Sequence, residues 1–141
     1  MIRKASAVWQ GDLKSGKGTM TAPSGVMTNA AYSFATRFEE KPGTNPEELI
    51  AAAHAGCFSM AFSAELSKAG MTPERVETTA AVTLETVDGK PTVTKSHLTV
   101  KAKVPGADQA KFQEIANGAK AGCPISRLLK AEITMEATLE G

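Results

Sequence analysis

At 141 residues the chain has the length of one domain, spanning 1–141, and roughly two-thirds of its unfolded surface can be buried in a single core. Sixteen Lys and Arg against fifteen Asp and Glu leave a formal charge of +1, with no basic run and only five Phe, one Trp and one Tyr. That balance argues against nucleic acid and against an anionic membrane surface, and leaves small molecules as the expected partners.

The start, Met1-Ile2-Arg3-Lys4-Ala5-Ser6, carries no apolar signal core, so the expected location is the cytoplasm. In that reducing compartment the two cysteines are expected to be thiols, and a disulfide between them would be transient and redox-active rather than structural. Ala5 to Gln10 reads as a first strand, and Gly11 to Lys17 as a turn into a second strand over Gly18 to Ala22, broken by Pro23-Ser24-Gly25. A third strand is expected over Ala31 to Glu39, where Tyr32, Phe34, Thr36 and Phe38 alternate with Ser33, Ala35, Arg37 and Glu39. Arg37 would then point away from the aromatic face.

A long helix follows. Asn45 suits the N-cap and Pro46 the first helical position, and Glu47 and Glu48 complement the helix dipole. From Leu49 to Ala64 only His54, Ser59 and Ser63 interrupt the apolar and small residues, which predicts burial on nearly every side. That stretch falls short of the eighteen or so apolar residues of a membrane span. Enclosing such a helix strains one small chain, and a homo-oligomer sharing it would resolve the difficulty. Ala69-Gly70 and Pro73 supply the stop.

Two Val- and Thr-rich runs, Val76 to Val87 and Thr92 to Val104, flank the turn Asp88-Gly89-Lys90-Pro91 and predict an antiparallel hairpin. Asp108 to Ala121 has helical periodicity. A short helix is expected to begin at Cys123-Pro124, and a last strand to run from Glu132 to Leu139. The order predicts an α+β fold with antiparallel sheets and no βαβ alternation.

Several side chains have both a chemical and a purely structural reading. Cys57, mid-helix among small and apolar neighbours, is either one more packed residue or a nucleophile whose thiolate needs a cation. Arg37 could be that cation, or a surface Arg paired with Glu39 or Glu40. Glu47 lies ten residues before Cys57, about 15 Å along a helix axis, so a carboxylate there cannot touch the thiol of its own helix. Either a long Arg closes that distance or the Glu comes from a second copy. His54 stands one turn before Cys57, which raises a Cys-His hydrolase pair. Cys57, His54, His97 and Cys123 lack zinc-ligand spacing, and no metal is expected. Cys123 sits at a predicted helix N-terminus, where N–H groups lower a thiol pKa; on bare physics it is the more reactive thiol, or else a plain N-cap.

Taken together, these segments resemble the OsmC/Ohr family of thiol-dependent hydroperoxide reductases, in its osmotically inducible OsmC branch. Val8-Trp9, Gly16-Lys17-Gly18-Thr19, Thr36-Arg37-Phe38, Gly43-Thr44-Asn45-Pro46-Glu47-Glu48-Leu49, Ala53-His54-Ala55-Gly56-Cys57-Phe58-Ser59-Met60 and Lys120-Ala121-Gly122-Cys123-Pro124-Ile125-Ser126 carry the likeness over nearly the whole chain. The resemblance implies an intertwined homodimer in which antiparallel sheets wrap long central helices. It also implies a peroxidatic Cys57, a resolving Cys123, an Arg37 that holds the thiolate and a Glu47 that orients this Arg. It overrules the ranking of the thiols from bare physics: an Arg in a desolvated pocket can lower a thiol pKa more than an exposed helix end does.

The implied reaction reduces organic hydroperoxides, and hydrogen peroxide less well, through a Cys57 sulfenic acid and a Cys57–Cys123 disulfide. An external dithiol, with a lipoyl-carrying protein as the leading expectation, would regenerate the thiols; no organic cofactor is implied. Phe58, Met60 and Phe62 would form an apolar pocket wall or simply pack in the core. The competing readings are the Cys57-His54 hydrolase and a non-catalytic stress-related binding dimer with inert thiols.

Overall fold

The computed structural model describes residues 1–141, and the local signals in the sequence explain most of its elements. The first strand β1 (Ser6–Gln10), β2 (Lys17–Ala22) and β3 (Met27–Tyr32) form an antiparallel three-stranded sheet in that order. Gly18 packs where any β-carbon would collide with the rings of Trp9 and Tyr32, whose centroids lie 5.5 Å apart. The expected strand over Ala31–Glu39 is corrected here. The chain leaves β3 at Tyr32 and turns into a short helix, α1 (Phe34–Phe38). Ser33 and Thr36 form a reciprocal capping box, Thr36 N–H donating to Ser33 Oγ and Ser33 N–H to Thr36 Oγ1, and this local exchange wins over apolar alternation.

Helix α2 (Pro46–Lys68) begins as expected, with the Glu48 N–H donating to Asn45 Oδ1 at 2.8 Å. It ends in a Schellman motif: Gly70 adopts φ +81°, Met71 N–H reaches Leu66 O and Gly70 N–H reaches Ser67 O. At 23 residues it is longer than the apolar stretch suggested, and by length and composition alone it could cross a bilayer. The chain divides into two compact units, Met1–Leu49 and Ile50–Gly141, with the boundary inside α2.

In the second unit, β4 (Arg75–Val87) and β5 (Lys90–Lys103) form the hairpin. Its turn is the two residues Asp88 and Gly89, both at positive φ, as a type I′ connection requires. Helix α3 (Gln109–Gly122) is capped by Asp108, whose carboxylate accepts the Lys111 N–H at 2.8 Å. Helix α4 (Pro124–Leu128) and β6 (Glu132–Glu140) follow. β5 is the central strand, and β6 pairs with it in parallel, which corrects the expectation of wholly antiparallel sheets without a βαβ unit. Side-chain alternation reports the faces of a strand but not its direction; the two helices between β5 and β6 carry the chain back, as a parallel crossover demands.

The expectation for α2 also needs correction. Only His54, Phe58, Phe62 and Leu66, spaced four residues apart, are fully buried. They join Leu98, Val100 and Ala102 of β5 with Phe112, Ala116 and Ala119 of α3 in one apolar cluster. Each fully buried Phe or Leu contributes about 1.5–3 kcal/mol. The opposite face, with Ala52, Ala53, Gly56, Met60 and Ala64, lies exposed, Met60 at 79%. One face of a helix is all that a single sheet and a neighbouring helix can cover.

Candidate active site

Within the first unit, α1 presents Arg37 and the first turn of α2 presents Glu47. The guanidinium grips the carboxylate at two points, Arg37 Nε to Glu47 Oε1 at 2.8 Å and Nη2 to Oε2 at 3.2 Å. Glu47 is buried, and Arg37 lies 5.2 Å from the centroid of the Phe38 ring. The pairing with Glu39 or Glu40 is therefore not the one formed. Asn45 ties the pieces together, its Nδ2 donating to Thr36 O at 3.0 Å while its Oδ1 caps α2. Beside Arg37, Trp9, Leu13, Tyr32, Phe34 and Phe38 line a cavity of about 230 Å³.

Within the second unit, Cys57 of α2 and Cys123 are both free thiols, and each shifts the protonation of the other. Cys57 is half-buried. Cys123 is fully buried, not the exposed helix end expected, and it both closes α3 and caps α4. Its N–H donates to Ala119 O at 2.9 Å, while its sulfur accepts the Ser126 N–H at 3.4 Å.

Burial pushes the Cys57 thiol up; the Ile125 amide opposes this and the adjoining Cys123 adds to it. Burial also pushes Cys123 upward, but the Ser126 hydroxyl and amide, together with Cys57 and the Ile125 amide, bring it below its ordinary value. The ranking of the thiols by bare physics thus persists inside the second unit, and a low Cys57 pKa requires a cation brought to it.

His54 does not pair with Cys57. Its Nδ1 lies 2.6 Å from Ser96 Oγ and its Nε2 2.7 Å from Ser126 Oγ, so both ring nitrogens are engaged and a Cys-His nucleophile pair has no free nitrogen to work with. Burial lowers the imidazole pKa and keeps it neutral near pH 7. The two serines are site residues that sequence reasoning missed, although Ser126 closes the Cys123-Pro124-Ile125-Ser126 motif at the third position of α4. Of the apolar neighbours of Cys57, Phe58 and Phe62 are core and Met60 is exposed, so these three do not form one pocket wall.

Two free thiols that influence one another, one at the start of α4 and one in the middle of α2, are the arrangement that a small two-cysteine redox protein would need. The chain belongs to the OsmC family: the family model described as OsmC-like protein matches residues 38–138. It is 52% identical to peroxiredoxin OsmC of Escherichia coli over 98% of this chain and 96% of that one. A protein of Mycoplasma pneumoniae, named organic hydroperoxide resistance protein-like, is 34% identical over 82% of this chain and 85% of its own length. In fold, the crystal structure of an OsmC-like protein from the same organism superposes with a TM-score of 0.76, covering 100% of this chain and 99% of that one at 15% identity.

Proposed function

We propose that this chain is a thiol-dependent peroxidase of oxidative and osmotic stress defence that reduces organic hydroperoxides, and hydrogen peroxide less well. The observation that carries the reading is the meeting of Cys57 and Cys123 as free thiols that influence one another in a chain so similar to a peroxiredoxin. Cys57 thiolate attacks the terminal peroxide oxygen, the alcohol leaves, and Cys57 becomes a sulfenic acid. Cys123 displaces the hydroxyl and closes the disulfide, which an external dithiol, such as a lipoyl-carrying protein, reopens by exchange in the cytoplasm.

Arg37 is the cation we assign to the Cys57 thiolate and to the charge that develops along the O–O bond, and Glu47 fixes the Arg37 fork. The exposed small-residue face of α2 supports a homodimer, because a row of Ala and Gly beside Met60 is a surface that a second helix can approach closely.

The test treats the reduced protein with an organic hydroperoxide and follows each thiol by mass, with Cys57→Ser and Cys123→Ser in parallel. The parent should form the Cys57–Cys123 disulfide, Cys123→Ser should stop at an oxidised Cys57, and Cys57→Ser should be slow. Thiols unchanged in the parent would end the peroxidase reading.

A further inference from the structure

The oxidation step accounts for Cys57, but resolution must also dispose of a proton, and the second unit contains a route for it. Ser96 on β5, His54 on α2, Ser126 on α4 and Cys123 form one hydrogen-bonded chain, with links of 2.6 Å, 2.7 Å and, from Ser126 Oγ to Cys123 Sγ, 3.4 Å. His54 and Ser96 are fully buried, and the rest of the His54 stripe is Phe58, Phe62 and Leu66. An imidazole at such a position costs desolvation that a leucine would not, so a packing role alone gives no reason for it.

The donors and acceptors along this chain match in both protonation states. With Cys123 as thiol, its S–H donates to Ser126 Oγ, the Ser126 O–H donates to His54 Nε2, and His54 Nδ1–H donates to Ser96 Oγ. After the proton has moved, the Ser126 O–H donates to the thiolate and the imidazolium donates from both nitrogens to the two hydroxyl oxygens. No heavy atom has to change position.

Building on the two-cysteine reading above, we propose that Ser126 and His54 are the proton relay of the resolving cysteine: His54 Nε2 takes up the Cys123 proton, through the Ser126 hydroxyl, as the disulfide forms. The Cys123 sulfur, once deprotonated, attacks the Cys57 sulfenic sulfur. The S–S bond forms and the S–O bond breaks, so the Cys123 sulfur is oxidised and the Cys57 sulfur reduced. The departing hydroxide takes up one proton to become water, which balances the one His54 has received and later gives up. Ser126 touches the reacting thiol, whereas His54 and Ser96 act through it and are positioning residues. The ring bonds only the Ser96 hydroxyl of β5 and the Ser126 hydroxyl of α4, the Cys123 thiol lies one link further at Ser126, and no carboxylate or ammonium bonds to the ring.

The test uses Ser126→Ala, Ser126→Thr and His54→Gln in the full chain, mixed with one equivalent of cumene hydroperoxide and quenched into a sulfenic-acid trap. Sulfenic acid formation is followed in each variant, so that disulfide closure is read as a separate step from the trapped sulfenic acid. Disulfide formation near pH 7 should slow on the order of 10²-fold in Ser126→Ala and His54→Gln. Ser126→Thr should restore it, and the deficit should close at alkaline pH, where solvent deprotonates Cys123. A peroxide-free arm titrates the ultraviolet thiolate absorbance of Cys123 in the Cys57→Ser chain; adding Ser126→Ala should raise the midpoint by about one pH unit. Parent-like disulfide rates, a loss of equal size at every pH, or an unmoved midpoint would each overturn the relay. A parent inert to hydroperoxide would refute the peroxidase reading and the relay with it, whereas a reactive parent with parent-like variants would refute the relay alone. Should His54→Gln fail to fold, Ser126→Ala and its Thr rescue decide alone.

Discussion

Replacing Glu47 by Gln keeps the side-chain shape and one acceptor but removes the charge that holds Arg37. In the structure the two side chains meet through two charge-assisted bonds of 2.8 and 3.2 Å, with the carboxylate side chain 11% exposed and the Arg side chain 36% exposed. Bonds to charged groups contribute about 1.5–3 kcal/mol when sheltered, and the half-open guanidinium reduces that to a coupling of about 1–2 kcal/mol. If the fork matters only because it aims Arg37 at Cys57, that coupling is lost from the transition state, and the rate of Cys57 oxidation should fall about 5- to 30-fold. The assay is single-turnover sulfenic acid formation with an organic hydroperoxide in the parent, Glu47→Gln, Arg37→Ala and the double variant. Because Glu47 acts through Arg37, the double variant should be no slower than Arg37→Ala alone. A Glu47→Gln rate within about twofold of the parent, or losses that multiply in the double variant, would refute the assignment of Glu47 as the anchor of Arg37.

Three further outcomes follow from the same geometry. Phe62→Ala removes a fully buried ring whose centroid lies 5.6 Å from that of Phe58 and 5.3 Å from that of Phe112, and chemical denaturation should show a loss of about 3–5 kcal/mol. A loss below about 1 kcal/mol would mean that this stripe does not anchor α2. The parent should sediment as a dimer, and Met60→Asp, on the exposed face, should leave the fold intact by circular dichroism but shift sedimentation toward monomer; a monomeric parent would end the dimer reading, and an unchanged dimer would remove that face from the interface. For pH, burial holds the folded-state pKa of His54 below its ordinary 6.5, so below that value the unfolded chain binds a proton that the folded chain does not. Its contribution is fully present above about pH 6.5 and is lost as the pH falls; His54→Gln should flatten the fall in denaturation midpoint on acidification, measured against the parent.

Much of this was legible where a signal is local. Asn45, Asp108 and the Asp88-Gly89 turn each act within three residues, and each element begins or turns where they indicate. Around Phe34 to Phe38 two local patterns competed: alternation suggested a strand, while Ser33 and Thr36, at capping-box spacing, closed a helix. The face of α2 that is covered was not legible, because small and apolar residues surround the helix and only tertiary packing selects the His54-Phe58-Phe62-Leu66 stripe. The parallel pairing of β6 depends on topology rather than pattern. The family motifs pointed to the Arg37–Glu47 pair, which forms within the first unit, and to the two thiols, which lie in the second. The His54 partners lie 42 and 72 residues away and carry no motif of their own toward it.

Cys123 is the last bolt of α3 and the first of α4, and its sulfur holds the amide of Ser126 in the first turn of α4. In a Cys57–Cys123 disulfide that sulfur would lose the thiolate character that the Ser126 and Ile125 hydrogen bonds favour in the free side chain and become a poorer acceptor, so oxidation should weaken that hold. The five-residue helix then becomes a gauge of redox state written in the backbone. Hydrogen exchange at the Ser126 amide should quicken in the disulfide form and slow again on reduction, which would let the redox state be read from the backbone without a dye. Equal exchange in both forms would show that the cap survives oxidation.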